Sequence, residues 1–195
     1  MDKSGNNVES ILLAGVGGQG IIRASDILCM VAVAAGLDVK KSEVHGMAQR
    51  GGCVTSHVRY GEKVYSPLAR KGDVDLLVSF EKLETLRYLD YLKKAGAVIA
   101  NMEELYPPSV NTGDAAYPDS IDAELRQRCR SVKLVDAGKI AKAAGNIRTV
   151  NTVLLGVLAP YLDFEIDLWK KILQEAFPAK ILDENLKAFD LGRKG

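Results

Sequence analysis

The chain has 195 residues, 47% hydrophobic and 26% charged, with 26 Lys and Arg against 25 Asp and Glu. That balance predicts a globular protein of one domain, residues 1–195, and argues against a disordered chain or a broad basic surface for nucleic acid. Cys29, Cys53 and Cys129 fit no disulfide framework and no metal or iron-sulfur spacing. The polar stretch Met1 to Glu9 does not resemble a signal peptide, and the longest apolar run, 27–37, is too short to cross a bilayer. The expected setting is cytoplasmic, with no metal and no membrane.

Ile11 to Ala14 is an apolar run stopped by glycine, which reads as a buried strand. After Gly15-Val16-Gly17-Gly18-Gln19-Gly20, residues Ile21, Ala24, Ile27, Leu28, Val31, Ala32 and Ala35 recur every three or four positions and predict a helix that Gly36 ends. Leu37 to Val44 reads as a strand, partly exposed at Lys40 and Lys41, and 45–52 as a polar loop. Alternation over Val54 to Tyr60, then Gly61-Glu62, predicts a small β-hairpin with Lys63 to Ser66. Val74 to Phe80 is apolar enough for the sheet centre.

Leu83, Leu86, Leu89 and Leu92 predict a helix over Glu81 to Lys94 closed by Gly96, and Ala97 to Ala100 a strand. Asn111-Thr112-Gly113-Asp114 signals a turn in a small hairpin or flap. A helix over Ile121 to Cys129, a strand over Val132 to Val135 and a helix over Asp136 to Ala144 follow. Next comes an apolar helix over Thr149 to Tyr161, with Asn151 read as its cap, and Pro178 separates two amphipathic helices, Glu165 to Ala176 and Lys180 to Phe189. The alternation predicts an α/β fold: an open, mostly parallel sheet with helices on both faces, Rossmann-like or flavodoxin-like, with a small β-hairpin extension.

Two loops carry the candidate chemistry. Gly15, Gly17 and Gly20 satisfy G-x-G-x-x-G between a strand and a helix. Such a turn, with Gly18 and Gln19 inside it, offers backbone N–H groups and a helix dipole to an anion; close helix–strand packing with no ligand is the plain alternative. An NAD site would further need an acid ending the second strand, and Glu43 is the candidate. The second loop joins His45, Gln49 and Arg50 to Gly51 and Gly52. Its guanidinium suits a phosphate or carboxylate and its glycines an anion nest; an ordinary polar turn is the alternative. Both loops are expected at strand ends on one sheet edge. No Ser-His-Asp set or P-loop lysine is evident, so no catalytic residue is assigned, and His57 reads as a structural strand residue.

Leu13 to Gly20, Glu43 to Gly52 and Val54 to Arg59 together resemble the gamma-type subunits of 2-oxoacid:ferredoxin oxidoreductases, above all those of the indolepyruvate branch. The likeness extends over nearly the whole chain, including Asn151 to Gly156 and Ile181 to Gly192. It implies an accessory subunit of an enzyme that oxidises a 2-oxo acid, such as an aryl pyruvate, with coenzyme A to an acyl-CoA, carbon dioxide and reduced ferredoxin. It further implies that a large alpha subunit holds thiamine diphosphate and the iron-sulfur clusters, that this chain binds no cofactor alone, and that ferredoxin is reached through the complex. Gly15, Gly17, Gly18, Gln19, Gly20, His45, Gln49, Arg50, Gly51 and Gly52 would lie near the shared site. Self-association stays open. The competing readings are a stand-alone NAD(P)- or flavin-binding oxidoreductase and a non-catalytic interaction module.

Overall fold

The computed structural model describes residues 8–46 and 52–195. Among these residues one sheet is built from β1 (Glu9–Val16), β2 (Asp38–His45), β3 (Cys53–Gly61), β4 (Val74–Ser79), β5 (Leu92–Asn101) and β6 (Ser131–Val135), in the order β2-β3-β1-β4-β5-β6. The pairs β1–β4, β4–β5 and β5–β6 are parallel, whereas β3 is antiparallel to both β1 and β2. Only β3 therefore runs against the others. The helices are α1 (Ile21–Ala34), α2 (Lys82–Tyr88), α3 (Pro108–Asn111), α4 (Ile121–Arg128), α5 (Ala137–Ala144), α6 (Val150–Leu158), α7 (Ile166–Ala176) and α8 (Ala179–Lys194).

Strand alternation divides the core. Ile11 and Leu13 of β1 join the cluster formed with α1 and α5 to α8, while Leu12 and Ala14 join that of α2 and α4. A central strand covered on both faces must be apolar at every position, which is why Ile11 to Ala14 reads as a continuous run rather than an alternating one. All four are at most 1% exposed, and each buried Ile or Leu side chain contributes roughly 1.5–3 kcal/mol.

Several local expectations are corrected. β3 does not pair with Lys63 to Ser66; its hairpin partner is β2, and β1 flanks its other side. Residues 62–73 instead form a loop whose backbone is satisfied by side chains. Arg59 donates to the Ser66 and Leu68 carbonyls and pairs with Asp73, and the Val64 N–H reaches Asp38. The leucine stripe after Glu81 is helical only through Tyr88; a 3-10 turn, Leu89–Tyr91, follows, and β5 starts at Leu92. Gly96 closes no helix. It lies inside β5, where an added Cβ would come within 2.9 Å of the Asp75 carbonyl. The 111–114 segment makes no hairpin: α3 ends there and Gly113 turns the chain at φ 82°. Finally, α8 continues past Phe189 to Lys194, because Ala188, Phe189 and Gly192 are buried.

Candidate functional site

The carboxyl ends of β1, β2, β4, β5 and β6 open on one edge of the sheet. Helix α1 leaves β1 for one face and α2 leaves β4 for the other, so a crevice lies between these strands, where open α/β sheets take ligands.

The first glycine loop sits at that crevice. Gly18 and Gly20 have φ of 106° and 82°, a region that side chains with a Cβ enter only at a cost. Gly20 is the N-cap of α1, with no capping side chain and no acid in the first turn. The Ala24 N–H is the one that returns to the Gly20 carbonyl, at 3.0 Å. The preceding N–H groups of Ile21, Ile22 and Arg23 therefore have no intrahelical acceptor, and the positive end of the helix faces the edge.

The two glycine loops are joined: the Gly17 N–H donates to the Gly52 carbonyl at 2.9 Å. The Gly46 N–H closes the β2–β3 mouth on the Cys53 carbonyl, also at 2.9 Å. Register places His45 level with Gly15 across Val54. Gln49, Arg50 and Gly51 lie outside the described residues. Gln19 is committed within the protein: its Oε1 accepts the Val16 N–H at 2.7 Å, and its Nε2 donates to the Phe80 carbonyl and to Glu103 Oε2, both at 3.0 Å. Gly15 makes room for this arrangement, since a Cβ there would come within 2.7 Å of Gln19 Oε1 and 2.8 Å of Phe80 Cβ.

Two clefts flank the turn. One, of about 790 Å³, lies between α1 and the β2–β3 mouth, with Gly17, Gly18, Ile21, Ile22, His45 and Val54 on its walls. The other, of about 770 Å³, reaches the end of β5 and the corner between α5 and α6. It brings Gln19 together with Asn101, Glu103, Lys142, Arg148 and Asn151, the last five of which the sequence reading did not place at a site. Asn101 was the most legible, being an amide at the end of a parallel strand; it donates to the Phe80 carbonyl and accepts the Ala137 N–H. Asn151 is not the cap of its helix. The helix begins at Val150, and Asn151 packs against Gly20, where a Cβ would meet its Nδ2 at 3.0 Å.

Glu43 does not sit where a dinucleotide ribose would need it. β3 separates β2 from β1, so Glu43 lies across Ser56 from Leu13, roughly 9–10 Å away in strand spacings. Its carboxylate pairs with Lys41 at 2.6 Å and faces His45 at 3.7 Å. His57 is buried in the strand as expected, with its ring edge-on to Tyr91 and its Nδ1 accepting the Ala69 N–H.

Behind the loop mouth, Cys53 Sγ lies 2.7 Å from the Tyr88 hydroxyl. Burial pushes the Cys53 thiol up to about 11, so it is protonated and unreactive at neutral pH. Beside it, Glu84 is 5% exposed and its Oε2 has no partner among the described residues. Burial raises its carboxyl above the usual range despite the opposing effects of Cys53 and Arg87. An acid whose folded pKa is raised keeps its proton while the unfolded chain ionises. Its contribution therefore erodes as pH climbs from about 4 until the folded carboxyl also ionises. Glu84→Gln should remove that slope: denaturant midpoints of variant and parent should diverge between pH 4 and pH 7 in favour of the variant.

The fold and the glycine-lined carboxyl edge define the class: a doubly covered α/β domain with a crevice at the switch between β1 and β4. Residues 10–195 match the pyruvate ferredoxin/flavodoxin oxidoreductase family, and the chain belongs to it. The indolepyruvate oxidoreductase subunit IorB of Pyrococcus horikoshii is 41% identical over 190 residues, 95% of this chain and 94% of the relative. The keto/oxoacid ferredoxin oxidoreductase gamma subunit of Geobacter sulfurreducens shares the fold at a TM-score of 0.71 and 22% identity, over 95% of this chain and 96% of that one. A Magnetococcus marinus 2-oxoglutarate:ferredoxin oxidoreductase, solved with 2-oxoglutarate, coenzyme A and succinyl-CoA bound, matches at a TM-score of 0.72 and 24% identity; the match covers 97% of this chain but only 31% of that longer one. No helix among the described residues is long and apolar enough to cross a membrane.

Proposed function

We propose that the chain is the small subunit of a thiamine-diphosphate-dependent 2-oxoacid:ferredoxin oxidoreductase that converts indolepyruvate or another aryl pyruvate, with coenzyme A, to the aryl-acetyl-CoA, carbon dioxide and reduced ferredoxin in the cytoplasm. The likeness to the indolepyruvate subunit across 95% of the chain carries this reading. A large partner subunit holds thiamine diphosphate and the iron-sulfur clusters and passes electrons to ferredoxin. This chain does not fit such a cluster: it has three cysteines, and a cluster takes four thiolates. Among the described residues no group of three or more His, Cys, Asp or Glu is placed to hold a metal ion.

The work left to this chain is positional. The helix α1 terminus and the turn at Gly18 and Gly20 present backbone donors at the crevice, while the Gly17 N–H ties that turn to Gly52. Gly15 and Gln19 fix the shape of that turn. His45 and Gly52 lie across it, and together with Gln49, Arg50 and Gly51, which follow His45 in sequence, they are the side of the site assigned to coenzyme A on its way to the partner's thiamine. That the related 2-oxoglutarate enzyme binds coenzyme A and carries this fold inside a longer chain supports the same division of labour.

The test is reconstitution. The chain coexpressed with its large partner should reduce a dye when given both indolepyruvate and coenzyme A, and either polypeptide alone should not. Turnover by the isolated chain, or an assembly indifferent to coenzyme A, would overturn the proposal.

A further inference from the structure

Strand β2 ends the sheet, and no strand among the described residues pairs with its outer side. Which backbone groups face outward follows from the register. The Gly46 N–H donates to the Cys53 carbonyl at 2.9 Å, and the β2–β3 ladder repeats that kind of pair at every second residue, through Val44, Ser42, Lys40 and Asp38. The N–H and carbonyl groups of Val39, Lys41, Glu43 and His45 therefore point away from β3 in one row. Natural edges are guarded against further pairing by a proline, a bulge or free lysines. β2 has no proline, and its eight residues pair with β3 without a break. Its lysines are neutralised: Lys40 pairs with Asp38 at 2.6 Å, and Lys41 pairs with Asp26 and, at 2.6 Å, with Glu43.

The strand is also complementary to itself. Two copies related by a two-fold axis normal to the sheet pair antiparallel, and their side chains keep to matching faces only if one residue lies opposite its own counterpart. Lys40, Lys41 or Glu43 at that centre would oppose like charges, which is unfavourable. Centres nearer either end of β2 overlap few residues. With Ser42 at the centre, Lys41 meets Glu43 of the second copy, Val39 meets His45 and Lys40 meets Val44, so no like charges are opposed. The outward row of each strand then supplies hydrogen bonds to the other. Helix α1 fits the same arrangement. It packs over β2 and β3, with Asp26 on Lys41 and with Ile22 sharing a cleft wall with His45. Ile22 and Val33, on the same stripe as Asp26, are 38% and 60% exposed. With strands about 4.8 Å apart, the two copies of α1 come to roughly 10 Å from each other, a helix-packing distance. We propose that β2 is a self-docking edge, through which two copies of this chain join antiparallel about Ser42. Because the joined strands run oppositely, the two carboxyl edges point away from each other, and the crevice between β1 and β4 stays open in each copy.

The experiment uses the full chain at micromolar concentrations, with mass measured by sedimentation. The parent should be a dimer. Glu43→Lys sets Lys opposite Lys twice and should weaken the dimer at least tenfold; Lys41→Glu/Glu43→Lys restores opposite charges and should recover it. Crosslinking reads the register independently of any effect on folding. Ser42 faces Ser42 in a non-hydrogen-bonded pair, where Cα atoms lie about 4.5 Å apart, within disulfide reach. Under a mild oxidant Ser42→Cys should give a covalent dimer that the parent does not. Lys40→Cys, roughly 13 Å from its counterpart, should not. A monomeric parent, a dimer indifferent to Glu43→Lys, failure of the double variant to recover, or crosslinking at Lys40→Cys in place of Ser42→Cys would each overturn the proposal.

Discussion

Replacing Gly156 or Gly192 by alanine should be among the most damaging single changes in the chain, lowering stability by about 3 kcal/mol or more. The two glycines are the points where α6 and α8 touch backbone to backbone. A Cβ on Gly156 would sit 2.2 Å from the Phe189 carbonyl oxygen, and one on Gly192 would sit 2.2 Å from that of Val153. Neither obstacle is a side chain that can swing aside, so the helices must part. Parting them loosens Val153 and Phe189, both fully buried, and overpacking of this kind sits at the high end of the usual penalty. At roughly 2–4 °C per kcal/mol for a chain of this size, the melting temperature should drop by about 10 °C. Gly138→Ala is the contrast. Gly138 lies within α5, where an added Cβ would meet nothing nearer than 3.6 Å. Relief of glycine's helix penalty should leave that variant as stable as the parent or slightly more so. Similar melting of all three variants would show that α6 and α8 are not in close backbone contact.

The same two glycines mark a limit of sequence reading. Gly156 falls mid-helix and Gly192 near a helix end, positions where propensity alone sees only a weakness. Their reason is a partner segment far along the chain, which no local pattern encodes. Elements fixed by local patterns were legible: the buried run of β1, the glycine turn, the spacing of α1, and the α5 stop at Gly145, whose φ is 111°. What failed depended on distant partners. The alternation of β3 announced a strand but not its neighbours, since Lys63 to Ser66 lie nearer in sequence than the β2 strand it pairs with. The leucine stripe after Glu81 kept helical spacing through Leu92 by coincidence, and it was pairing with β4 that drew Leu92 into a strand. At the site, two glycine-rich loops could be placed on one edge because strand ends in an α/β sheet are predictable. Asn101, Lys142, Arg148 and Asn151 were not, because each belongs to an element whose approach to the turn is set by packing.

The insertion of β3 also changes what the glycine turn can mean. In a dinucleotide fold the strand after the first helix lies beside the first strand and brings its terminal acid to the ribose. Here an antiparallel strand occupies that place, and its leading end supplies a carbonyl, that of Gly52, to the Gly17 N–H. One turn donor is thereby spent on joining two loops. The donors left over face the crevice from α1.

Gln19→Met should cost about 2 kcal/mol and lower the melting temperature by roughly 4–8 °C, although the residue looks from sequence like a ligand group. Methionine fills a similar volume but cannot accept the Val16 N–H or donate to the Phe80 carbonyl and Glu103, so the tie among the ends of β1, β4 and β5 is lost. Phe80 keeps the donor from Asn101, which limits the damage; the Val16 N–H has no such substitute. Gln19→Glu sharpens the test. A glutamate can still accept from Val16, but when ionised it faces Glu103 with a second negative charge. Facing carboxylates hold their pKa values up in the folded state, so stability is present at low pH and lost as pH rises through those values. The glutamate variant should therefore lie near the methionine variant at pH 7 or below it, and should recover toward the parent near pH 4, where a shared proton can bridge the two groups. Unfolding at the parent's temperature in both variants, with only coenzyme A use impaired in the assembly, would make Gln19 a ligand group rather than the latch of the turn.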